Sequence, residues 1–249
     1  MPGLDAVRSK QSPTKLYRGI DMYNPSNLSA PLRGKVTGKL EYVTEREGGT
    51  PAFVGRYIKN PASAAQVTDK EIEFIRGQGC SLLPIYCPTQ AHTGMKGPDG
   101  QKWGREAAKN AVGLARGLHI PDDVFVYANI EPHWVLTPDW VVGWCEGYDA
   151  LTRQGFGGLY CGQLHIAPGG PIVQAMKTLG GRAPAVWLTR AMGDGRDPGL
   201  LPAAAQEIGD VDIWQYAVGV VGQGLDSRAW GYDRDLASSY AFDHMWAPD

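Results

Sequence analysis

No cysteine pair in this chain has CxxC spacing, and no cysteine has a histidine at zinc-finger distance. That argues against the common structural zinc modules and thioredoxin-like redox chemistry. Cys80, Cys87, Cys145 and Cys161 are instead expected as small buried thiols, three of them in or beside apolar runs. The histidines show neither HExxH nor HxH spacing, so no catalytic metal is expected and no cofactor is indicated. No GxGxxG follows the first apolar run and no GxxxxGK[ST] occurs, which argues against Rossmann and P-loop nucleotide sites. The lack of GxSxG disfavours an α/β-hydrolase serine. No basic region followed by an apolar stretch opens the chain, so a signal peptide is not expected. No run of about 18 apolar residues is present to span a membrane. Charge bias is also missing. The 24 Lys and Arg residues nearly balance 26 Asp and Glu, for a net charge of −2. Nucleic acid and membrane surfaces are therefore not expected partners.

What the chain does have is 33 glycines, 18 prolines and 10% aromatic residues. Loops are plentiful, yet 43% hydrophobic residues over 249 positions can bury a real core. Residues 1–16 are polar and aperiodic and read as an arm ahead of one domain over 17–249. Short apolar, strand-like runs lie at 17–23, 51–58, 81–87, 124–131, 156–162, 183–191 and 211–217, and GYDRDLASS closes the chain with a last strand or turn. Thr68 and Glu71 form a capping box that opens a helix ending near Gly77. A helix over 103–116 has Ala107, Ala111, Leu114 and Ala115 on one face. Thr137 caps a third, with Pro138 at its first position, and 171–179 is a short fourth. Residues 24–50 read as a long loop with room for one hairpin, and 88–101 as a loop. Eight strand candidates against four helices predict an irregular TIM-type α/β barrel with some helices replaced by loops. Mid-chain alternation of strand and helix predicts parallel pairing.

The segment VFVYANIEPHW, 124–134, carries the most chemistry. Its apolar run ends in Glu131, and the following Pro132 favours extended backbone there, at the strand's last position. Barrel enzymes keep their catalytic acids at such strand ends. Asp21 lies in the first strand, and Asp233 and Asp235 lie in the closing segment. Strands distant in sequence meet at one rim, so these acids are expected to converge. Glycoside hydrolysis needs such a group: one protonated carboxyl for the leaving oxygen, and a second negative group to stabilise the cationic transition state or activate water. For any single acid the plainer reading is a salt bridge to Arg18, Arg56 or Arg190. Aromatic residues also cluster in or just beyond the strands: Tyr23, Tyr57, Tyr86, Tyr127, Tyr160, Trp187, Trp214 and Tyr216. Most are expected to fill the barrel. Tyr86, Tyr160, Trp187 and Trp214, with Trp134, are candidates to stack on sugar rings. Of these, Trp134 and Trp214 read best as ligand-facing.

In their order and spacing, GIDMYNPS, FVGRYI, LLPIYC, VYANIEP, GLYCG, DIWQYA and YDRDLA resemble glycoside hydrolase family 25, the barrel-fold muramidases. FVGRYI and the Tyr-rich middle strand look more like a related glycoside-hydrolase-like domain of actinobacteria and their phages, whose function is unknown. The resemblance covers roughly residues 17–240. It implies hydrolysis of the β-1,4 bond between muramic acid and glucosamine residues in peptidoglycan. That family carries Asp-x-Glu on the middle strand, with the Glu as general acid; here the triplet is Asn129-Ile130-Glu131. By the same resemblance Asp21 matches the first-strand Asp and Asp233 the closing Asp of a D-x-[DN] motif, whose last position is Asp235. Asn129 cannot act as a base or a full negative charge. It is expected either to orient a substrate N-acetyl group or to leave the site as a binding cleft.

The leading expectation is a glycosidase acting on peptidoglycan or another cell-wall polysaccharide, with Glu131, Asp21 and Asp233 catalytic. The rival is a non-enzymatic barrel that binds cell-wall glycan or forms part of a phage tail, with other virion proteins as partners. The absent signal sequence, the polar arm and Asn129 favour that rival. A third reading is an unrelated barrel enzyme for a different polysaccharide. In each case synthesis is expected in the cytoplasm, with release by lysis or carriage in a phage virion.

Overall fold

The computed structural model describes residues 15–248, apart from 27–28, 33–34, 60–65, 192–194, 203–207, 210 and 223–224. The expected arm lies outside these residues except for its end, where Leu16 already belongs to a strand. In chain order, β1 (Leu16–Asp21) leads to a hairpin of β2 (Ser29–Leu32) and β3 (Lys35–Gly38), then α1 (Lys39–Glu47). Next come β4 (Phe53–Lys59), α2 (Asp69–Gly77), β5 (Ser81–Tyr86), α3 (Gln90–Thr93) and α4 (Gly97–Gly117). They are followed by β6 (Tyr127–Ile130), α5 (Pro138–Thr152), β7 (Gly158–Gly162), α6 (Gln163–Ile166) and α7 (Pro171–Thr178). The chain closes with β8 (Ala185–Thr189), β9 (Ile213–Val220), α8 (Ser227–Trp230), β10 (Tyr232–Ser238) and α9 (Ser239–Phe242).

Eight strands form a closed barrel in the order β1-β10-β9-β8-β7-β6-β5-β4. Each of the eight runs read as a strand supplies one. Period-two alternation sorts their side chains. Phe53, Leu83, Ile85, Tyr127, Trp187 and Ile213 fill the barrel, while Val54, Leu82, Ala128, Leu159, Val186 and Leu188 belong to the outer layer with the helices. Pairing is parallel from β1 through β4 to β9, but β10 is antiparallel to both β9 and β1. A parallel crossover needs about a dozen residues or more. Residues 221–231 fall short of that, so the chain turns straight back. The reversal brings the start of β10 to the rim where β1 ends, and Asp233 pairs with Asp21.

The structure departs locally from the sequence reading in three places. The helix expected over 103–116 begins at Gly97, inside what reads as a loop. Pro98 suits a first helical turn, and the Gly97 N–H donates to Asp139 Oδ2 at 2.7 Å. Its glycines are contacts as well as breaks. A Cβ on Gly104 would lie 2.2 Å from the Trp140 carbonyl oxygen, and one on Gly143 would lie 2.1 Å from that of Gln101. Thus α4 and α5 cross backbone to backbone, and a small-residue face (Ala107, Ala108, Ala111, Ala115) is buried while Leu114 is exposed. The second departure is α1, which lies within the stretch read as loop. The third concerns the capping box. Thr68 Oγ1 accepts from the Glu71 N–H at 3.3 Å, but the Glu71 side chain turns inward to Arg56 instead of back to the cap. At α5 the expected cap is present: Thr137 Oγ1 accepts from the Trp140 N–H. All four cysteines are free and buried.

Candidate active site

The acids meet at one end of the barrel. Register places Asp21 opposite Asp233 and Gly19 opposite Asp235. Beside them, β4 carries Gly55, where a Cβ would lie 2.7 Å from Asp21 Cβ and 2.9 Å from the Trp187 ring. Only a glycine lets Trp187 and Asp21 approach this closely. Trp187 Nε1 donates to Asp235 Oδ1 at 3.0 Å. Gln215 on β9 donates its amide to Asp21 Oδ2 at 2.7 Å and to Asp233 Oδ2 at 3.0 Å. Its Oε1 accepts from the Tyr160 hydroxyl at 3.1 Å and the Thr189 hydroxyl at 2.8 Å. These four bonds fix which end of the amide faces the acids. Asp233 Oδ1 accepts from the Gly219 N–H at 2.6 Å.

All three carboxyls are raised above the usual carboxylate range, burial being the largest cause for each. Burial, then the charges of Asp21 and Asp233, push Asp235 well above the usual carboxylate range. As a carboxylate, its Oδ2 has no hydrogen-bond partner among the described residues; protonated, it can donate to Asp21, and such a bond favours the charged form of Asp21. Asp21 is itself raised by burial and by Asp233, opposed by Gln215, Asp235 and Arg56. Burial raises Asp233 to about 6, with Glu131 adding to the shift and the Gly219 N–H and Lys39 opposing it.

Acids whose pKa is raised on folding contribute stability that is complete below their unfolded value, near 3.8, and is lost as pH rises through the folded value. Asp122, held down by Arg116, has the opposite sense and matters only below that value. Stability is therefore expected to fall between pH 5 and pH 7. Urea midpoints at the two pH values check this, and Asp235→Asn should flatten the difference.

Glu131 follows β6 directly and is half-buried. Asn129 Nδ2 donates to Glu131 Oε1 at 2.9 Å and reaches the Tyr57 hydroxyl at 3.4 Å. Asn129 Oδ1 is buried and has no hydrogen-bond partner among the described residues. Burial raises the Tyr57 hydroxyl, and the charges of Asp21, Glu131 and Asp233 add to it. A recess of about 480 Å³ opens beside them, between Asp21–Asn24 at the end of β1 and Gly219 with Gly231–Asp233 of the β9–β10 connection.

The aromatic candidates divide. Trp187 is fully buried inside the barrel and supports Asp235 instead of facing a ligand. Tyr160 packs edge-on to it at 4.8 Å and holds Gln215. Tyr86 lies in the outer layer, stacked on Trp144 of α5, and Trp214 is 5% exposed with its N–H donated to the Arg190 carbonyl at 2.9 Å. The structure brings neither of these two to the acids. Trp134 is half-buried in the loop after Glu131, and its carbonyl faces His165 Nε2 at 3.1 Å. The arginines named as plain partners are engaged elsewhere: Arg18 with Asp197, Arg56 with Glu71 and Arg190 with Gln163. Gln215 was missed in the sequence. Its signal was a polar residue at an inward position of an otherwise apolar strand, in register with Ile213.

Comparisons with known proteins bear on this geometry. An uncharacterized protein of B. stearothermophilus, solved as a crystal structure, is 26% identical over 92% of this chain and all of its own, with a TM-score of 0.67. The Mycobacterium tuberculosis Tat-secreted protein Rv2525c, in complex with L-tartrate, has a TM-score of 0.55 at 14% identity, over 94% of this chain and 100% of its own. The catalytic domain of endolysin ply40, from bacteriophage P40 of Listeria monocytogenes, has a TM-score of 0.54 at 15% identity, over 92% of this chain and 97% of its own. The last two likenesses are likenesses of fold. No curated protein matches the chain. A family profile matches residues 50–244, which hold six of the barrel's parallel strands, Glu131 and the β10 acids. This chain belongs to the family described as the Rv2525c-like, glycoside hydrolase-like domain.

Proposed function

We propose that this barrel is a peptidoglycan-directed glycosidase of muramidase type. The observation that carries the reading is the convergence of carboxyls from β1, β10 and the end of β6 around Gln215, Asn129 and Tyr57. The family's glycoside-hydrolase-like character supports it, and so does the fold shared with an endolysin catalytic domain. Glu131 stands at the rim with Oε1 held by Asn129, and it donates the proton to the departing glycosidic oxygen. As that bond breaks, positive charge grows on the sugar ring. Asp21 and Asp233 stabilise it and position the water that completes hydrolysis. Asn129 has its amide hydrogens directed at Glu131 and Tyr57, leaving the unpartnered Oδ1 as an acceptor for a substrate N–H such as that of an acetamido group.

The test is chemical. Purified peptidoglycan is digested, reduced with borohydride and hydrolysed. Muramitol in the soluble fraction is the expected product; glucosaminitol, or no new reducing end, contradicts the reading. The second reading is a barrel that binds cell-wall glycan without cutting it, as a free protein or within a phage tail. Asn129, in place of the acid that the muramidases carry, favours it. It predicts retention on cell walls with no reducing ends released.

A further inference from the structure

Glu131 begins a tight turn, and that turn is fastened from behind. The Trp134 N–H donates to the Glu131 carbonyl at 2.9 Å, closing the segment Glu131-Pro132-His133-Trp134. Proline suits the second position of such a turn. Pro132 and His133 are exposed, so the outer side of the turn faces solvent. Its inner side meets the end of β7. A Cβ on Gly162 would lie 2.9 Å from Pro132 Cβ, so glycine there admits the turn. On α6, His165 is 5% exposed. Its Nδ1 lies 3.3 Å from the Gly162 nitrogen and its Nε2 lies 3.1 Å from the Trp134 carbonyl oxygen. A backbone N–H only donates and a carbonyl only accepts. Both bonds therefore form in a single state of the ring, neutral with its hydrogen on Nε2. An imidazolium, or the other neutral tautomer, would point an N–H at the Gly162 N–H. Farther along, the Val135 carbonyl faces Thr93 Oγ1 at 2.7 Å, and the Thr137 N–H donates to the Thr93 carbonyl at 3.0 Å. Those contacts hold the loop where it enters α5. His165 holds it within the same turn as Glu131.

We infer that His165 is a positioning residue for Glu131: as the Nε2–H tautomer it pins the Glu131–Trp134 turn to α6. Asn129 Nδ2, at 2.9 Å from Glu131 Oε1, orients the side chain. The His165 bond steadies the backbone that carries it. A turn released from α6 would let the carboxyl drift from the glycosidic oxygen, and a displacement of about 1 Å can cost a hundredfold in rate. His165 is buried and acts through the turn, not on the sugar. The inference rests on the proposed glycosidase site, where Glu131 is the proton donor.

The test uses the full chain as wild type, His165→Asn and His165→Gln. Glutamine carries an amide N–H about as far out as Nε2 and can keep the bond to Trp134. Asparagine is too short for that and keeps at most an acceptor for the Gly162 N–H. Long-range proton–nitrogen NMR near neutral pH should show His165 with a bare Nδ1 and a protonated Nε2, assigned by the signals the variants lack. The Trp134 amide, which closes the turn, should exchange with deuterium about tenfold faster in His165→Asn than in wild type. In His165→Gln it should exchange near the wild-type rate. On soluble peptidoglycan fragments, His165→Asn should lose about ten- to a hundredfold in kcat with KM little changed, and His165→Gln should recover most of that loss. A protonated Nδ1 in the wild type overturns the inference. So does unaltered Trp134 exchange in His165→Asn, faster exchange with no fall in kcat, or a His165→Gln protein no better than His165→Asn. Should both variants fail to fold, the wild-type tautomer decides. A wild type that cuts no peptidoglycan sinks the glycosidase reading instead, and the tautomer and exchange rates still decide whether His165 pins the turn.

Discussion

Glu131→Gln should lower the release of reducing ends from peptidoglycan at least about a hundredfold, the scale on which a general acid acts. The fold should survive. Glutamine keeps the shape, and its Oε1 can still accept from Asn129 Nδ2, the bond that orients the native side chain. Glu131 is half-buried, so the change strands no fully buried charge. Stability should stay within about 0.5 kcal/mol of wild type. What is lost is the dissociable proton. Unchanged circular dichroism together with lost activity is the expected pair of results. A Glu131→Gln protein that still degrades cell walls at full rate would remove Glu131 from the mechanism.

The largest loss of stability is expected from Glu71→Leu. Arg56 and Glu71 are both essentially unexposed, and Arg56 Nε meets Glu71 Oε1 at 2.7 Å while Nη2 meets Oε2 at 3.3 Å. Arg56 Nη1 also donates to the Met22 and Tyr23 carbonyls, at 2.5 and 2.8 Å. The pair thus ties α2 to the chain just after Asp21, at the mouth of the recess. A guanidinium cannot shed its proton at accessible pH, so leucine at 71 leaves an uncompensated buried charge. Breaking such a pair costs about 3–5 kcal/mol, whereas replacing both partners with apolar residues can be nearly neutral. Urea unfolding should show that loss for Glu71→Leu and substantial recovery for Arg56→Met/Glu71→Leu. Equal losses in the single and double variants would mean that the packing of α2, not the charge, is what matters.

How much of this was legible in the sequence depended on range. Strands declared themselves through local composition, and α5 through Thr137 and Pro138, because those signals act within a few residues. The start of α4 did not, because Gly97, Gly100 and Gly104 look like loop punctuation until α5 is seen against them. The reversed β10 was hidden for the opposite reason: its acids were plain, but direction follows from how little chain joins it to β9. In the site, Asp21, Glu131, Asp233 and Asp235 could be read from residue type and place at strand ends. Gln215 and Glu71 could not, since their meaning lies in partners 15 to 194 residues away. The orientation of the aromatics also escaped. Trp187 and Tyr86 both sit in apolar strands, and only barrel parity turns one inward to Asp235 and the other outward to Trp144.

We propose that the acids gathered at this rim cut a glycan strand. This is tested most directly by incubating purified peptidoglycan with wild type and Glu131→Gln side by side and counting new reducing ends. Steady release by the wild type and almost none by the variant is expected, with both proteins folded. Cell walls that bind the wild type but yield no reducing ends would contradict it.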